Sequence, residues 1–217
     1  MKKILFLAVA ALISAACATS TTEVKNAANS TVANAPNNTE TSKKAEFTAG
    51  ANPKSDVISS TQKLQELEFW SAAISSETSP DLNAQMEYIA PDRYHIKKAN
   101  GEVIVIGKDS YENDNGKWKK LDDNIGEFIK SQTTTGIEEG IKNLKDVQIV
   151  GKENINGKEA TIYSHNIAGV QTKVWIENNS GRQLKNEIEA SVSGQVQKQT
   201  TVYDYDKKFK IEAPEIK

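Results

Sequence analysis

From Val170 to Ile176 the side chains alternate, with Val170, Thr172, Val174 and Ile176 on one face and Gln171, Lys173 and Trp175 on the other. From Leu184 to Val192 the set Leu184, Ile188, Ala190 and Val192 opposes Lys185, Glu187, Glu189 and Ser191. A period of two belongs to extended chain, and keeping one side apolar predicts strands with one dry and one wet face. Comparable patterning predicts strands over 67–74, 82–89, 93–97, 102–106, 109–112, 147–150, 160–165, 196–203 and 209–212, a set of about ten or eleven. Turn signals separate them: Asn100-Gly101, Asn115-Gly116, Asn156-Gly157 and Ser193-Gly194. Asn and Gly accept positive φ at low cost, so these sites suit tight hairpins and predict a long antiparallel meander.

Three stretches have a helical period instead. Val57, Thr61 and Leu64 follow a capping Ser55; Ile125, Phe128 and Ile129 follow Asp122-Asp123; Ile137, Ile141 and Leu144 follow a capping box of Thr135 and Glu138. A single sheet with a wet outer face needs a cover over its apolar inner face, and these short helices are the available cover. The expected class is therefore mainly β, of the α+β kind. Residues 55–217 hold 18 Ile and 10 Val against 6 Leu, a β-branched bias that favours strands.

The N-terminus has another character. Lys2 and Lys3 precede an apolar run from Ile4 to Ile13, then Ser14-Ala15-Ala16-Cys17. These are the three parts of a bacterial secretory signal, and Cys17, the chain's single cysteine, stands at the cleavage point. The segment resembles a lipoprotein signal, with Ser14 where Leu is usual; cleavage before Cys17 would leave 1–16 as signal peptide and a thioether to diacylglycerol on Cys17. Ordinary signal cleavage, for example after Ala18, is the alternative. Ala18 in place of an Asp favours the outer over the inner membrane. Of residues 18–54, 24 of 37 are Ala, Asn, Thr or Ser, too polar to offset their ordering entropy. Residues 17–54 are expected to form a flexible tether, roughly 35 Å end to end, and 55–217 the domain.

Charge narrows the classes further. With 27 Lys plus Arg against 29 Asp plus Glu, there is none of the basic excess of a nucleic-acid binder. The Lys117-Lys119-Lys120 group, flanked by acids, reads as a solvated turn. A lone Cys excludes a disulfide framework and an Fe–S centre. The ten apolar residues from Ile4 to Ile13 fall short of the ~20 that span a bilayer, so a polytopic membrane protein is excluded.

Catalytic signals are few. His95 and His165 are the only imidazoles, without metal-binding spacing, and both read as solvent-facing strand residues. Asp122-Asp123 and Glu138-Glu139 suit helix starts, where carboxylates complement the dipole. Trp70, Trp118 and Trp175 suit either core packing or contact with a bound apolar ligand. No cofactor and no enzymatic activity are expected.

One order of motifs goes further. Ala90-Pro91-Asp92-Arg93-Tyr94-His95-Ile96 is followed by Ile106-Gly107, Tyr111 and Gly116-Lys117-Trp118. Then come Val150-Gly151-Lys152-Glu153, Asn156-Gly157-Lys158, Val174-Trp175-Ile176 and Gly181-Arg182-Gln183-Leu184-Lys185. Over most of residues 57–214 this order resembles the LolA/LolB/LppX-like superfamily of periplasmic lipoprotein carriers and lipid-binding lipoproteins. The resemblance implies a strongly curved antiparallel sheet, an unclosed half-barrel, with short helices as a lid over an apolar concave face that holds acyl chains. It places Leu67, Phe69, Met86, Tyr88, Tyr94, Ile96, Val103 and Val105 on the cavity wall, with Ile125, Phe128, Ile137 and Ile141 on the lid. The LolA carriers have an Arg immediately before this Pro, where this chain has Ala90, and their arginine's role is not carried over to Arg93. The implied partners are a lipid or acyl chain, the bacterial membrane through Cys17, and a lipoprotein or envelope protein. An envelope sensor or interaction module of the same fold, or an anchored structural domain without ligand, are the alternatives.

Overall fold

The structure is a computed structural model that describes residues 47–122, 125–167, 169–192 and 194–216. The signal segment, Cys17 and residues 18–46 of the expected tether lie outside them.

Helix α1 spans Pro53–Glu66. Asn52 caps it by accepting a hydrogen bond from the Ser55 N–H, and Pro53, with no N–H to lose, opens the first turn. Six strands follow: β1 (Phe69–Ser76), β2 (Ala84–Ile89), β3 (Arg93–Lys98), β4 (Gly101–Ile106), β5 (Asp109–Asp114) and β6 (Lys117–Leu121). Helix α2 spans Ile125–Asn143. Five longer strands complete the chain: β7 (Leu144–Ile155), β8 (Lys158–Ile167), β9 (Val170–Glu177), β10 (Gln183–Val192) and β11 (Gln195–Asp204).

All eleven strands form one antiparallel sheet in the order β6-β5-β4-β3-β2-β1-β11-β10-β9-β8-β7. The expected hairpins are present at Asn115-Gly116 (φ 52° and 82°) and Asn156-Gly157 (φ 51° and 82°), where both turn residues take the positive φ of a type I′ turn. Strands β6 and β7 lie at opposite edges, yet only α2 joins them. Ten inter-strand spacings would separate flat edges by about 48 Å. A helix of 19 residues reaches about 28 Å, so the sheet has to curl for the connection to close. The result is the expected half-barrel, open between β6 and β7 and crossed by α2.

Three expectations change. Lys117–Leu121 is the edge strand β6, its charges paired across the ladder as Lys119–Glu112 (2.8 Å) and Lys120–Asp109 (2.6 Å). Lysines suit an edge because they discourage pairing with further chains. The two helical stretches after Asp122 are one helix, with Leu144 already in β7. Ile125 and Ile129 pack in an apolar cluster on the sheet and Ile137 and Ile141 line the cavity, so the helix runs on through the predicted cap at Thr135. Residues 209–212 alternate but form no strand.

Both faces of the sheet are covered. On the concave side Met86, Tyr94, Ile96 and Val105 pack under Ile125 and Ile129 of α2. Val57 of α1 packs with Tyr163, Val174 and Ile176, joined by Phe47. On the convex side Ile211 closes over Ile104 and Tyr111, with Phe209 beside them. Arg93 Nη1 donates to the Ile211 carbonyl at 2.9 Å, and Phe209 meets Phe69 edge-on at 6.2 Å between centroids.

Candidate functional site

The concave face is not filled. Between the sheet and the two helices lies a cavity of about 490 Å³, within the range of small-molecule sites. Register sets which side chains reach it. Trp70 pairs with Tyr88, Tyr88 with Tyr94, and Ala72 with both Met86 and Tyr203, so these alternate positions of adjacent strands all point inward. Their rings form a ladder: Trp70 to Tyr88 at 5.3 Å, Tyr88 to Tyr94 at 5.0 Å, and Trp70 to Tyr203 at 5.8 Å. From the other half of the sheet come His165, Thr172, Val174, Asn186 and Ile188; α1 adds Val57 and Leu64, and α2 adds Ile137 and Ile141. Pro91, Lys108 and Glu127 line the cavity and are exposed, which marks its mouth at the β2–β3 and β4–β5 turns and the start of α2.

Helix α1 is fixed by a buried polar contact. Asp56 Oδ2 accepts from the Tyr163 hydroxyl (2.8 Å) and from the Gly50 N–H (2.7 Å). Burial first, and then the hydrogen bond to Asp56, push the Tyr163 hydroxyl's pKa well up, keeping it a donor. Gln183 Nε2 reaches Thr61 Oγ1 at 3.1 Å, tying α1 to β10.

The twelve residues expected to meet a ligand are distributed unevenly. Met86, Tyr88, Tyr94, Ile137 and Ile141 line the main cavity. Ile96, Val103, Ile125 and Phe128 line a second one of about 210 Å³ under the first turns of α2. Val105, fully buried, packs in the apolar cluster with Ile125 and Ile129. Leu67 packs below α1 with Leu64 and Trp70. Phe69 lies on the convex face against Phe209, one position out of step with Trp70, so its expected place on the cavity wall is corrected.

Both histidines also depart from expectation. His165 is 5% exposed and lines the cavity. Burial pushes its pKa down to about 4, so the ring is uncharged at neutral pH. His95 lies on the convex side between two carboxylates, Nδ1 3.2 Å from Glu87 Oε2 and Nε2 2.7 Å from Glu102 Oε2. Burial raises the Glu102 carboxyl, but hydrogen bonds from His95 and Asn113 outweigh it and hold the pKa below the ordinary value. Among the described residues no group of three or more His, Cys, Asp or Glu is placed to hold a metal ion. The contribution of β8 to β11 escaped the sequence-based assignment of wall residues, although the alternation of Val170–Ile176 already put Thr172 and Val174 on one face.

No family model matches the sequence, and no curated protein matches it. Solved structures do. Lipoprotein LppX of Mycobacterium tuberculosis superposes with a TM-score of 0.58 at 14% identity, over 73% of this chain and 97% of that one. LprF of Mycobacterium bovis superposes with a TM-score of 0.56 at 12% identity, over 78% and 99%. At such identities the likeness concerns the fold. This chain has an LppX-like fold.

Proposed function

We propose that the protein is a lipid-anchored component of the bacterial envelope that holds an acyl chain in the concave cavity, without chemistry. One observation carries this reading: about 490 Å³ stays open among apolar and aromatic side chains, where a purely structural domain would be packed to crystal-like density. Burial contributes about 0.8 kcal/mol per CH₂, so a chain of a dozen carbons would be held firmly. Helix α2, tied to the sheet at its ends and bordering the mouth through Glu127, is the element whose movement would admit the ligand. The anchor on Cys17 would hold this domain near a membrane, with the outer membrane favoured by Ala18.

Native mass spectrometry tests the binding. The full chain carrying Cys17→Ala, purified from a periplasm without detergent, should show an adduct of lipid mass that organic extraction removes. A bare mass, together with failure to take up a fluorescent fatty acid, would end the proposal. The anchor is tested separately: Cys17→Ala should move the protein from the membrane to the soluble fraction, and unchanged membrane retention would contradict it.

A further inference from the structure

The concave face changes character along the strands. Inward positions on β1 run Trp70, Ala72, Ile74, Ser76, from an aromatic row at the mouth to a polar one six residues away, about 20 Å. Register extends the Ser76 row across Gln199, Ile188, Thr172 and His165 on β11, β10, β9 and β8. The adjoining row holds Thr201 and Asn186 beside Ile74. Ser76, Gln199, Thr172, His165 and Thr201 are all buried, none above 8% exposure. Three polar atoms of this group, His165 Nδ1, Asn186 Oδ1 and Gln199 Nε2, have no hydrogen-bond partner among the described residues. His165, Thr172, Asn186 and Ile188 line the cavity. Buried polar atoms are almost always satisfied, and the two unsatisfied ones on the cavity wall, His165 Nδ1 and Asn186 Oδ1, point to a partner that enters with the ligand.

We propose that the wall formed by Asn186, Thr172 and His165 is a polar subsite of the cavity, taking an uncharged hydroxyl or amide group carried by the acyl ligand. The proposal rests on the acyl-binding reading and adds the ligand's class: a neutral amphiphile such as a glycerol monoester, neither a bare hydrocarbon nor a fatty acid anion. Asn186 and Thr172 are diagonal neighbours on paired strands, about 7–8 Å apart at the backbone, a gap that one bridging oxygen can close. A hydroxyl both donates and accepts, so it serves Asn186 whichever way the amide is turned, and the Thr172 hydroxyl beside it. Across Thr172, His165 Nδ1 is placed for a second such group.

Charge excludes the anionic ligands. The row contains no Lys or Arg, and the neutral His165 ring supplies no positive charge. The charged residues that line the cavity, Asp92, Lys108 and Glu127, stand at the mouth. An ionised phosphate or carboxylate beside Asn186 and His165 would be desolvated without a counter-charge, which is costly.

Competition measures this directly. The full chain with Cys17→Ala is loaded with a fluorescent acyl probe and titrated with monooleoylglycerol, oleate and octadecene, which share one chain length. Monooleoylglycerol should displace the probe at about tenfold lower concentration than either competitor, the scale of one satisfied buried hydrogen bond. In Asn186→Leu that ratio should fall toward one; His165→Leu gives the same test should the first variant not fold. Equal displacement by monooleoylglycerol and octadecene, or a ratio unchanged in both variants, would overturn the polar subsite while leaving acyl binding in place. Failure of the wild-type chain to take up the probe would overturn the acyl-binding reading itself.

Discussion

At the scale of single residues, two buried polar groups carry predictions. His165 takes a proton in the unfolded chain as pH falls through its ordinary 6.5, whereas the folded chain refuses it until about 4. The unfolded state therefore binds more protons in that window, so stability must fall as pH drops from 6.5 toward 4, by on the order of 3 kcal/mol across the full range. Glu102, depressed by its His95 and Asn113 hydrogen bonds, contributes stability that is lost only at lower pH, as its own folded pKa is approached. Thermal melts between pH 7 and 5 should show a shallower pH slope for His165→Leu than for the wild type, and identical slopes would show that the ring is hydrated. Asp56 offers the second case. Asp56→Ala leaves the Tyr163 hydroxyl and the Gly50 N–H without their shared acceptor and should cost about 1–3 kcal/mol in urea unfolding. Tyr163→Phe removes the donor to Asp56 and a second acceptor for the Gly50 N–H (3.0 Å), but leaves that N–H its bond to Asp56, and should cost less; a larger loss than for Asp56→Ala would contradict this account of the α1 anchor.

At the scale of elements, the strands were legible and their faces only partly so. Val170–Ile176 separates its faces cleanly because one is dry, and the structure keeps that division, with Val174 buried against Tyr163. Phe69-Trp70 gave no such signal: two adjacent aromatics satisfy either parity, and both faces of β1 are in fact covered, one by Tyr88 and Tyr203, the other by Phe209. Helix α2 was legible as two pieces because the capping box of Thr135 and Glu138 reads as a helix start, whereas the need to join opposite sheet edges keeps one continuous helix. Its first turn also rests directly on the sheet. A Cβ at Gly126 would lie 2.1 Å from the Gly107 carbonyl oxygen, and backbone on both sides leaves nothing flexible to give way. Gly126→Ala should therefore lift the start of α2 from the β4–β5 turn, costing about 1–3 kcal/mol. Hydrogen exchange should quicken over 125–143; wild-type protection there would show that the helix is not seated on this glycine.

At the scale of the whole molecule, a single curved sheet has two faces to cover, and the chain uses different means for each. The concave face takes helices that leave a hollow; the convex face takes the segment after β11, laid flat without a ladder. That segment alternates like a strand because Phe209 and Ile211 must both face the sheet, a requirement that sequence periodicity cannot distinguish from strand pairing. It cannot pair there, because β1 already pairs with β2 and β11 and offers no free edge. What holds it is side-chain burial, with Ile211 2% exposed, together with the Arg93 bond to the Ile211 carbonyl and the approach of Lys207 to Glu87 at 3.6 Å. Burying one Ile and one Phe contributes about 1.5–3 kcal/mol each, against a typical total stability of about 5–15 kcal/mol. Ending the chain at Lys208 should therefore lower the melting temperature by roughly 10 °C and speed hydrogen exchange in β3 and β4. Phe209→Ala with Ile211→Ala in the full chain should reproduce most of that loss, since the cover acts through those two side chains. A truncated chain as stable as the wild type would mean that Ile104 and Tyr111 tolerate water, and that the outer face needs no cover.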